Sequence, residues 1–371
     1  MNGQNQDDAR PQAKLRVIVA TPLGHGGRGG IDRLTDLIFD AVSVRPDLCL
    51  RLQRLVTRGQ GSLVAAQFIF TLALLRFCFA AFRKNVDLLH IHLSDKGSAY
   101  RKTTLGVVAR IVKVPYVVHL HGAIFAEFWS GAPRPLSKAI DRIFTDSDLI
   151  VVLGYYWEEI IRNRLPHVAH KIRVLPNATL ASRLEQIPSQ DSRVRISCLG
   201  QLGQRKGTQE LIEALSSLAY RPDWVATIAG DGKVQESQAH VQSAGISDRV
   251  SIPGWLDAVA ASDLLRRTDL LVLPSFSENL PMVILEAFAH GLPVVTTPVG
   301  AIPEVVEHER NGLLVPAGDV AALTDALRRL IDDTSLRQRL GEAAKRDHTE
   351  KYDAGPYITR LASLWRTVAT P

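Results

Sequence analysis

Short apolar runs alternate with longer segments of helical periodicity along the whole chain. In the first half, period-two or continuous apolar runs predict strands at Leu15–Ala20, Leu48–Val56, Val86–His92, Tyr116–Leu120, Leu149–Leu153 and Ile172–Leu175. The second half repeats the pattern at Val194–Leu199, Val225–Ala229, Val250–Ile252, Leu270–Leu273, Val294–Thr296 and Leu313–Val315. Strands separated by helices imply parallel sheets with crossover connections. Pro176–Arg193 is the longest stretch without clear periodicity and reads as a linker. The expected fold class is α/β, with two Rossmann-like, doubly wound domains facing across a cleft. The expected division is a disordered polar tail over 1–14, a first domain over 15–176, a linker over 177–193, a second domain over 194–352 and a terminal helix over 353–371. Ligands of such sheets bind beyond the carboxyl ends of the strands, which places the site between the domains.

Leu63–Phe82 breaks the pattern. Its twenty residues are interrupted only by Gln67, Thr71 and Arg76. The length suits a membrane span. A span there would separate two strands of one sheet, so the segment reads first as a buried helix covering the sheet. A helix lying on a membrane surface is the alternative.

Length and composition fit a two-domain globular chain, at about 150 residues per domain. Of its 371 residues, 46% are hydrophobic and 22% charged. Cys49, Cys78 and Cys198 are scattered, so neither a disulfide framework nor a zinc motif is visible. Met1 to Lys14 is polar, includes Asp7 and Asp8, and lacks the apolar run of a secretory leader, which predicts a cytoplasmic chain. The net charge of +6 is uneven: residues 1–180 carry 24 Lys and Arg against 14 Asp and Glu, and residues 181–371 carry 20 against 24. A basic first half suits an anionic membrane surface or a phosphate-bearing acceptor. No nucleic-acid-binding pattern accompanies the charge, so nucleic acid is not an expected partner.

Several motifs could carry chemistry. Gly24-x-Gly26-x-x-Gly29, followed by Gly30, comes straight after the first strand and matches a dinucleotide fingerprint, with Asp47 near the spacing of a ribose-binding acid. More generally, glycines there let backbone amides approach an anion at a helix N-terminus. No Gly-Lys-Ser/Thr is present, which excludes a P-loop. His119 and His121 share one face at a strand end, where one of them, followed by Gly122, reaches a ligand. Asp146-Ser147-Asp148 sits on the opposite end of the sheet and reads as cap and turn chemistry, not as a metal site. Gly200-Gln201-Leu202-Gly203-Gln204-Arg205-Lys206-Gly207 again joins strand to helix and offers two cations to a diphosphate. Pro274 to Glu286 is the densest run. Glu278 lies on a loop, the Asn279 and Leu280 amides point toward the cleft, and Glu286 follows on the next helix. Two carboxylates beside an anion site are costly unless they meet hydroxyls or cations, and sugars supply hydroxyls.

Glu278-x7-Glu286, together with Arg205-Lys206-Gly207, Gly230-Asp231-Gly232 and His121-Gly122, resembles the family 4 retaining glycosyltransferases of GT-B fold. Ser94-x-x-Gly97-Ser98-x-x-Arg101-Lys102 resembles members that build bacterial exopolysaccharide or lipopolysaccharide. The resemblance implies a hexosyl transfer from a nucleotide-diphosphate sugar, as co-substrate, to a glycan or polyprenyl-diphosphate-linked acceptor. It implies no metal and no other cofactor, and a peripheral place at the inner face of the plasma membrane. Glu278 would meet hydroxyls of the donor sugar, Glu286 the ribose, Lys206 and Arg205 the diphosphate, and His121 the reacting carbon. The Gly29–Gly30 loop would face donor phosphate or acceptor, and Ser98, Arg101 and Lys102 the acceptor. The donor phosphate would itself accept the acceptor's proton, and the last helix would cross back onto the first domain. Gln201 stands where many members carry arginine. Other readings are a sugar-nucleotide epimerase of the same fold, a dinucleotide-dependent oxidoreductase resting on Gly24, Gly26 and Gly29, and a non-catalytic sugar-nucleotide-binding module.

Overall fold

A computed structural model describes residues 14–182, 186–187 and 191–369. Most of the expected polar tail, with Asp7 and Asp8, and part of the linker, with Pro188, lie outside the described residues. All twelve predicted strands are present within a few residues of their expected bounds. The first sheet contains β1 (Leu15–Thr21), β2 (Leu50–Val56), β3 (Leu88–Leu93), β4 (Tyr116–Leu120), β5 (Leu149–Val152) and β6 (Ile172–Val174). The second contains β7 (Val194–Leu199), β8 (Trp224–Ala229), β9 (Val250–Gly254), β10 (Leu270–Leu273), β11 (Val294–Thr296) and β12 (Gly312–Leu314).

The first sheet runs β2-β1-β3-β4-β5-β6 and the second β12-β11-β10-β7-β8-β9. The ladders are parallel in both. The strand order reverses beside β1 in the first sheet and beside β7 in the second. Crevices at such reversals are where open α/β sheets receive ligands. Central strands buried on both faces read as unbroken apolar runs, which is why β10 and β5 were legible without alternation.

The first sheet is covered on one face by α1 (Gly30–Ser43), and on the other by α2 (Leu63–Phe82) and α3 (Gly97–Ile111). The chain continues through α4 (Phe125–Gly131), α5 (Arg134–Asp146) and α6 (Tyr155–Arg164). Around the second sheet lie α7 (Thr208–Ser217), α8 (Val234–Ser243), α9 (Ala258–Arg266), α10 (Met282–Ala289), α11 (Val320–Asp332) and α12 (Thr334–Asp347). After α12, a π-turn at His348–Tyr352 redirects the chain into α13 (Ala354–Ala369). This helix packs on α1, β3 and β4, burying Tyr357, Ile358, Leu361 and Trp365 against the first sheet.

The structure corrects the first reading of Leu63–Phe82. Only the stripe Ala66, Phe70, Ala73 and Phe77 is buried. Phe68, Phe79 and Phe82 are 67%, 59% and 87% exposed, and Leu63, Val64 and Leu75 are exposed with them. The reason is positional: β2 is the edge strand of its sheet, so a helix laid over it has protein on one side only.

Candidate functional site

A cleft of about 650 Å³ opens where the carboxyl ends of the two sheets face each other. That is within the usual range for small-molecule sites. Arg28, Arg33, Lys96, Arg205 and Lys206 line it against the carboxylates Asp95, Asp231 and Glu278, so cations outnumber acids.

The glycine loop after β1 has two parts with different jobs. Asp32 is fully buried in the first turn of α1 and accepts from the Thr21 hydroxyl at 2.6 Å and from the amides of Leu23 and Gly24 at 3.0 and 3.1 Å. Asp36 takes the Gly26 amide at 2.9 Å. A Cβ on Gly27 would stand 2.5 Å from the Asp32 carboxyl carbon. The Gly24 and Gly26 amides are therefore committed to the chain's own carboxylates, and the dinucleotide-fingerprint reading fails at those positions. Asp47 fails as a ribose ligand as well: it lies before β2, exposed, and pairs with Arg45. Gly29 and Gly30 behave differently. Gly29 caps α1 without a side chain, and Gly29, Gly30 and Ile31 line the cleft. A helix N-terminus with uncapped amides carries partial positive charge, which suits an anion.

The second loop, after β7, is shaped by close backbone approaches. A Cβ on Gly230 would lie 1.7 Å from the Gly200 carbonyl oxygen, so only glycine fits. The loop then closes in a short helical turn, Gln204–Lys206. The Lys206 stem lies under Gly200 and its ammonium bonds the Glu278 carboxylate. Glu278 also accepts from the Ser275 hydroxyl at 2.9 Å and lies 3.6 Å from the Arg205 guanidinium. Arg205 is directed at this loop, donating to the Ser277 carbonyl at 3.1 Å. The two cations and Glu278 thus form one cluster, with Lys206 and Glu278 almost wholly buried.

Asn279 and Leu280 follow. The Asn279 side chain reaches the carbonyls of Leu120 and Gly122 at 3.3 and 3.5 Å, tying this loop to the end of β4. Asn177 donates to the Leu280 carbonyl at 2.8 Å. Both residues line the cleft, and Pro281 caps α10 without a side-chain bond. Glu286, one turn further, is not on the cleft wall. Its carboxylate is paired with Arg33 of α1, and Arg33 faces the cleft in its place. Arg28 stacks over the Trp255 ring at 4.6 Å, a second bridge between the halves.

Four histidines share one face of the first sheet. His90 and His92 lie on β3, His119 on β4 opposite His92, and His121 just beyond β4. His121 lines the cleft, and His92 Nδ1 lies 2.8 Å from His121 Nε2. Burial holds His121 and His90 at about 3, and presses His92 and His119 well below the ordinary imidazole range. All four are neutral at pH 7. Burial also raises Asp95 from the ordinary carboxylate range, partly offset by the Ile124 amide. Nitrogens of His90, His92 and His119 lie within 4.8 Å of one another, close enough to suggest a metal site. The hydrogen bonding disfavours it. The Trp365 indole N–H, a donor only, points at His90 Nδ1 at 3.0 Å. Neutral His90 then carries its proton on Nε2 and has no free lone pair to give a metal there. The carboxylates of Asp146 and Asp148 are also engaged, with Arg142 and with the Tyr116 amide, as cap and turn chemistry requires.

The expected acceptor residues on α3 need revision. Lys102 is fully buried and donates to the Ala20 carbonyl and the Thr57 hydroxyl at 3.0 and 2.9 Å, so it meets no acceptor. The resemblance that assigned Lys102 to the acceptor carries no information on its burial, which comes from the packing of α3. The Ser98 hydroxyl accepts from the Ser94 amide at 3.2 Å and braces the loop after β3. Arg101 is half-buried and lies off the cleft wall, and its Nε is enclosed without a partner. On this side the wall is made by Ser94, Asp95 and Lys96. Sequence reasoning also missed Arg33. The signal was there: it sits three residues after Gly30, on the face of α1 that starts at the cleft.

Comparison with known proteins agrees with this geometry. Residues 183–347 match the family described as Glycosyl transferases group 1. The chain is 27% identical over 301 residues to alpha-D-kanosaminyltransferase of Streptomyces kanamyceticus, covering 76% of this chain and 77% of that one. Sucrose-phosphate synthase from Thermosynechococcus elongatus superposes with a TM-score of 0.76 at 18% identity, over 95% of this chain and 99% of that one. Anabaena HepE in complex with UDP-glucose superposes with a TM-score of 0.73 at 18% identity, over 95% and 100%. Residues 183–347 thus match a group 1 glycosyl transferase domain, and the two-sheet architecture of the chain is the GT-B fold.

Proposed function

We propose that this protein transfers a hexosyl group from a nucleotide-diphosphate sugar to a glycan or lipid-linked acceptor in cell-surface polysaccharide synthesis, with retention of configuration. The observation that carries the reading is that Lys206 and Arg205, gathered at Glu278, line one cleft with Asn279 and Leu280 beside both strand-order reversals. Breaking the sugar–phosphate bond builds negative charge on the diphosphate. Preorganised cations and amides act on that charge as it develops. In this reading they do so without a metal or other cofactor. Glu278 holds the two cations in place in the free protein and turns to donor hydroxyls when the sugar enters. Glu286 meets ribose hydroxyls once Arg33 yields it. The HepE complex, which holds UDP-glucose in the same fold, supports a uridine nucleotide as the first donor to try.

A lipid-linked acceptor is supported by α2. Its exposed Phe68, Phe79 and Phe82 are accompanied by Arg76, Arg83 and Lys84 on the more basic half of the chain. Apolar side chains with adjacent cations suit the surface of an anionic bilayer. The protein then works peripherally at the inner face of the plasma membrane, with Ser94, Lys96 and the flank around Arg101 toward the acceptor.

The test is thermal-shift screening against UDP- and GDP-sugars, followed by turnover with and without glycan or lipid-diphosphate acceptors. A donor present at a hundredfold over its Kd adds about 2.7 kcal/mol. Donor consumption that depends on acceptor and survives EDTA is expected. Epimerised donor formed without any acceptor would instead favour an epimerase.

A further inference from the structure

The histidines behind the cleft have an order that the transfer reaction alone does not explain. Trp365 can only donate, so neutral His90 must accept at Nδ1 and carry its proton on Nε2. That Nε2 lies 3.3 Å from His119 Nδ1, so His119 accepts there and carries its own proton on Nε2. His119 Nε2 and His92 Nε2 are both buried without a protein partner, and the two rings lie 5.4 Å apart between centroids. If both nitrogens carried hydrogen, two enclosed donors would face the same small space. An unmet buried donor costs about 1–3 kcal/mol. The arrangement with one N–H beside one lone pair avoids two unmet donors and is preferred. His92 then carries its proton on Nδ1 and donates it to His121 Nε2 at 2.8 Å. Only Nδ1 of His121 remains for the cleft, and it must carry the hydrogen.

We propose that Trp365, His90, His119 and His92 are positioning residues that hold His121 in one tautomer, with its Nδ1–H presented to the cleft as a hydrogen-bond donor. The terminal helix α13 thereby sets the polarity of a group at the reaction site. Burial, which keeps these imidazoles neutral, removes the alternative in which His121 is a cation. In this tautomer His121 cannot take the acceptor's proton at Nδ1. It stabilises an oxygen of the donor, either a sugar hydroxyl or a phosphate oxygen. This role rests on the sugar-nucleotide reading of the cleft.

The decisive measurement is independent of turnover. Two-bond proton–nitrogen correlation spectra of the full chain, labelled in histidine and held at pH 7.5, report each tautomer. The expected pattern is Nε2–H on His90 and His119 and Nδ1–H on His92 and His121. Nε2–H on His121 overturns the proposal. Trp365→Phe should leave His121 in mixed tautomers. Should that variant fail to fold, His90→Gln keeps an N–H toward His119 and the wild-type pattern, whereas His90→Leu loses it. An unchanged His121 tautomer in His90→Leu also overturns the proposal. In activity, His121→Asn supplies an N–H near the Nδ1 position and should keep kcat within about tenfold. His121→Gln should lower it by about 10² or more, the scale of a lost donor to developing charge. A chain that bound no sugar nucleotide yet showed these tautomers would sink the functional reading and uphold the ordered chain. Reversed tautomers with donor binding intact would do the opposite.

Discussion

Lowering the pH from 7.5 to 5.0 should destabilise this protein severely, and the histidine cluster gives the amount. In the unfolded chain each imidazole titrates near 6.5. In the folded chain His90 and His121 titrate at about 3, and His92 and His119 well below their ordinary value, with desolvation the largest cause in each. The unfolded state therefore binds protons across this window while the folded state does not. By linkage, the histidine contribution is fully present above about pH 6.5 and is lost as pH falls toward about 3. Between pH 7.5 and 5.0 the loss is about 2 kcal/mol per histidine that stays neutral when folded. His90, His92 and His119 are wholly buried, which gives about 6 kcal/mol. His121 keeps one edge on the cleft and adds up to about 2 kcal/mol more. His290, held at about 4 by burial, acts in the same direction. Asp95, raised by burial, acts in the other, one group against several. Depressed carboxylates such as Asp87 and Asp347 lose their protons below this window and do not confuse it. A domain holds about 5–15 kcal/mol in all, so the chain should approach its unfolding threshold at pH 5. Urea titrations followed by tryptophan fluorescence, in half-unit pH steps, measure the change. His90→Gln with His119→Gln removes two titrating groups and should roughly halve the slope. A stability that moved by less than about 1 kcal/mol between pH 7.5 and 5.0 would refute the argument, because the buried imidazoles could not then be neutral.

Other outcomes follow from single contacts. Lys206→Ala should lower kcat by on the order of 10²–10³ with a smaller change in KM, since its charge is used most as the leaving group forms; an unchanged kcat removes it from the chemistry. Arg33→Ala should free the Glu286 carboxylate from its ion pair, leave kcat nearly unchanged and alter the KM for the donor, which steady-state kinetics will show. Phe68→Ser with Phe79→Ser should cut binding to anionic liposomes at least tenfold, and binding by the wild type should weaken as salt is added; sedimentation that shows neither removes the membrane-surface reading of α2. Gly230→Ala should cost more than about 3 kcal/mol or prevent folding, because its Cβ would stand 1.7 Å from the Gly200 carbonyl oxygen with φ at 158°; a soluble variant with an unshifted melting temperature contradicts the packing.

The fold was legible because parallel strands buried on both faces leave continuous apolar runs. β4, β7, β10 and β11 could be bounded to the residue from that pattern alone. The site was legible in kind but not in wiring. Glycines that permit close approach announce themselves, so the Gly200 loop was found, while the Gly230 loop entered through the resemblance. Which amides they offer does not follow from their spacing. Asp32 and Asp36 consume those of Gly24 and Gly26, and only the tertiary placement of α1 reveals it. Lys102 shows the same limit from the other side. The lysine after Arg101 was expected to face the acceptor, yet it turns inward to bond Ala20 and Thr57. For α2, composition described the helix well, but burial depends on whether a second layer covers it. An edge strand supplies none.

The bridges across the cleft explain why the two sheets must be read together. Asn279 of the second half donates to carbonyls at the end of β4, and Glu304 caps α6 by accepting from the Tyr155 and Tyr156 amides at 2.7 and 2.8 Å. These contacts join the two halves of the chain. Arg33 with Glu286 and Arg28 with Trp255 also join the halves, and Arg33, Arg28 and Trp255 line the cleft that a donor would enter. A sugar nucleotide entering there competes with the chain's own pairs. Glu286 Oε2 is buried without a hydrogen-bond partner even with Arg33 in place, and removing Arg33 would leave Oε1 unpaired as well, so an empty cleft gains from the pairing and a filled one replaces it. Donor affinity should therefore depend on Arg33 and Arg28 through what they release as well as through what they touch.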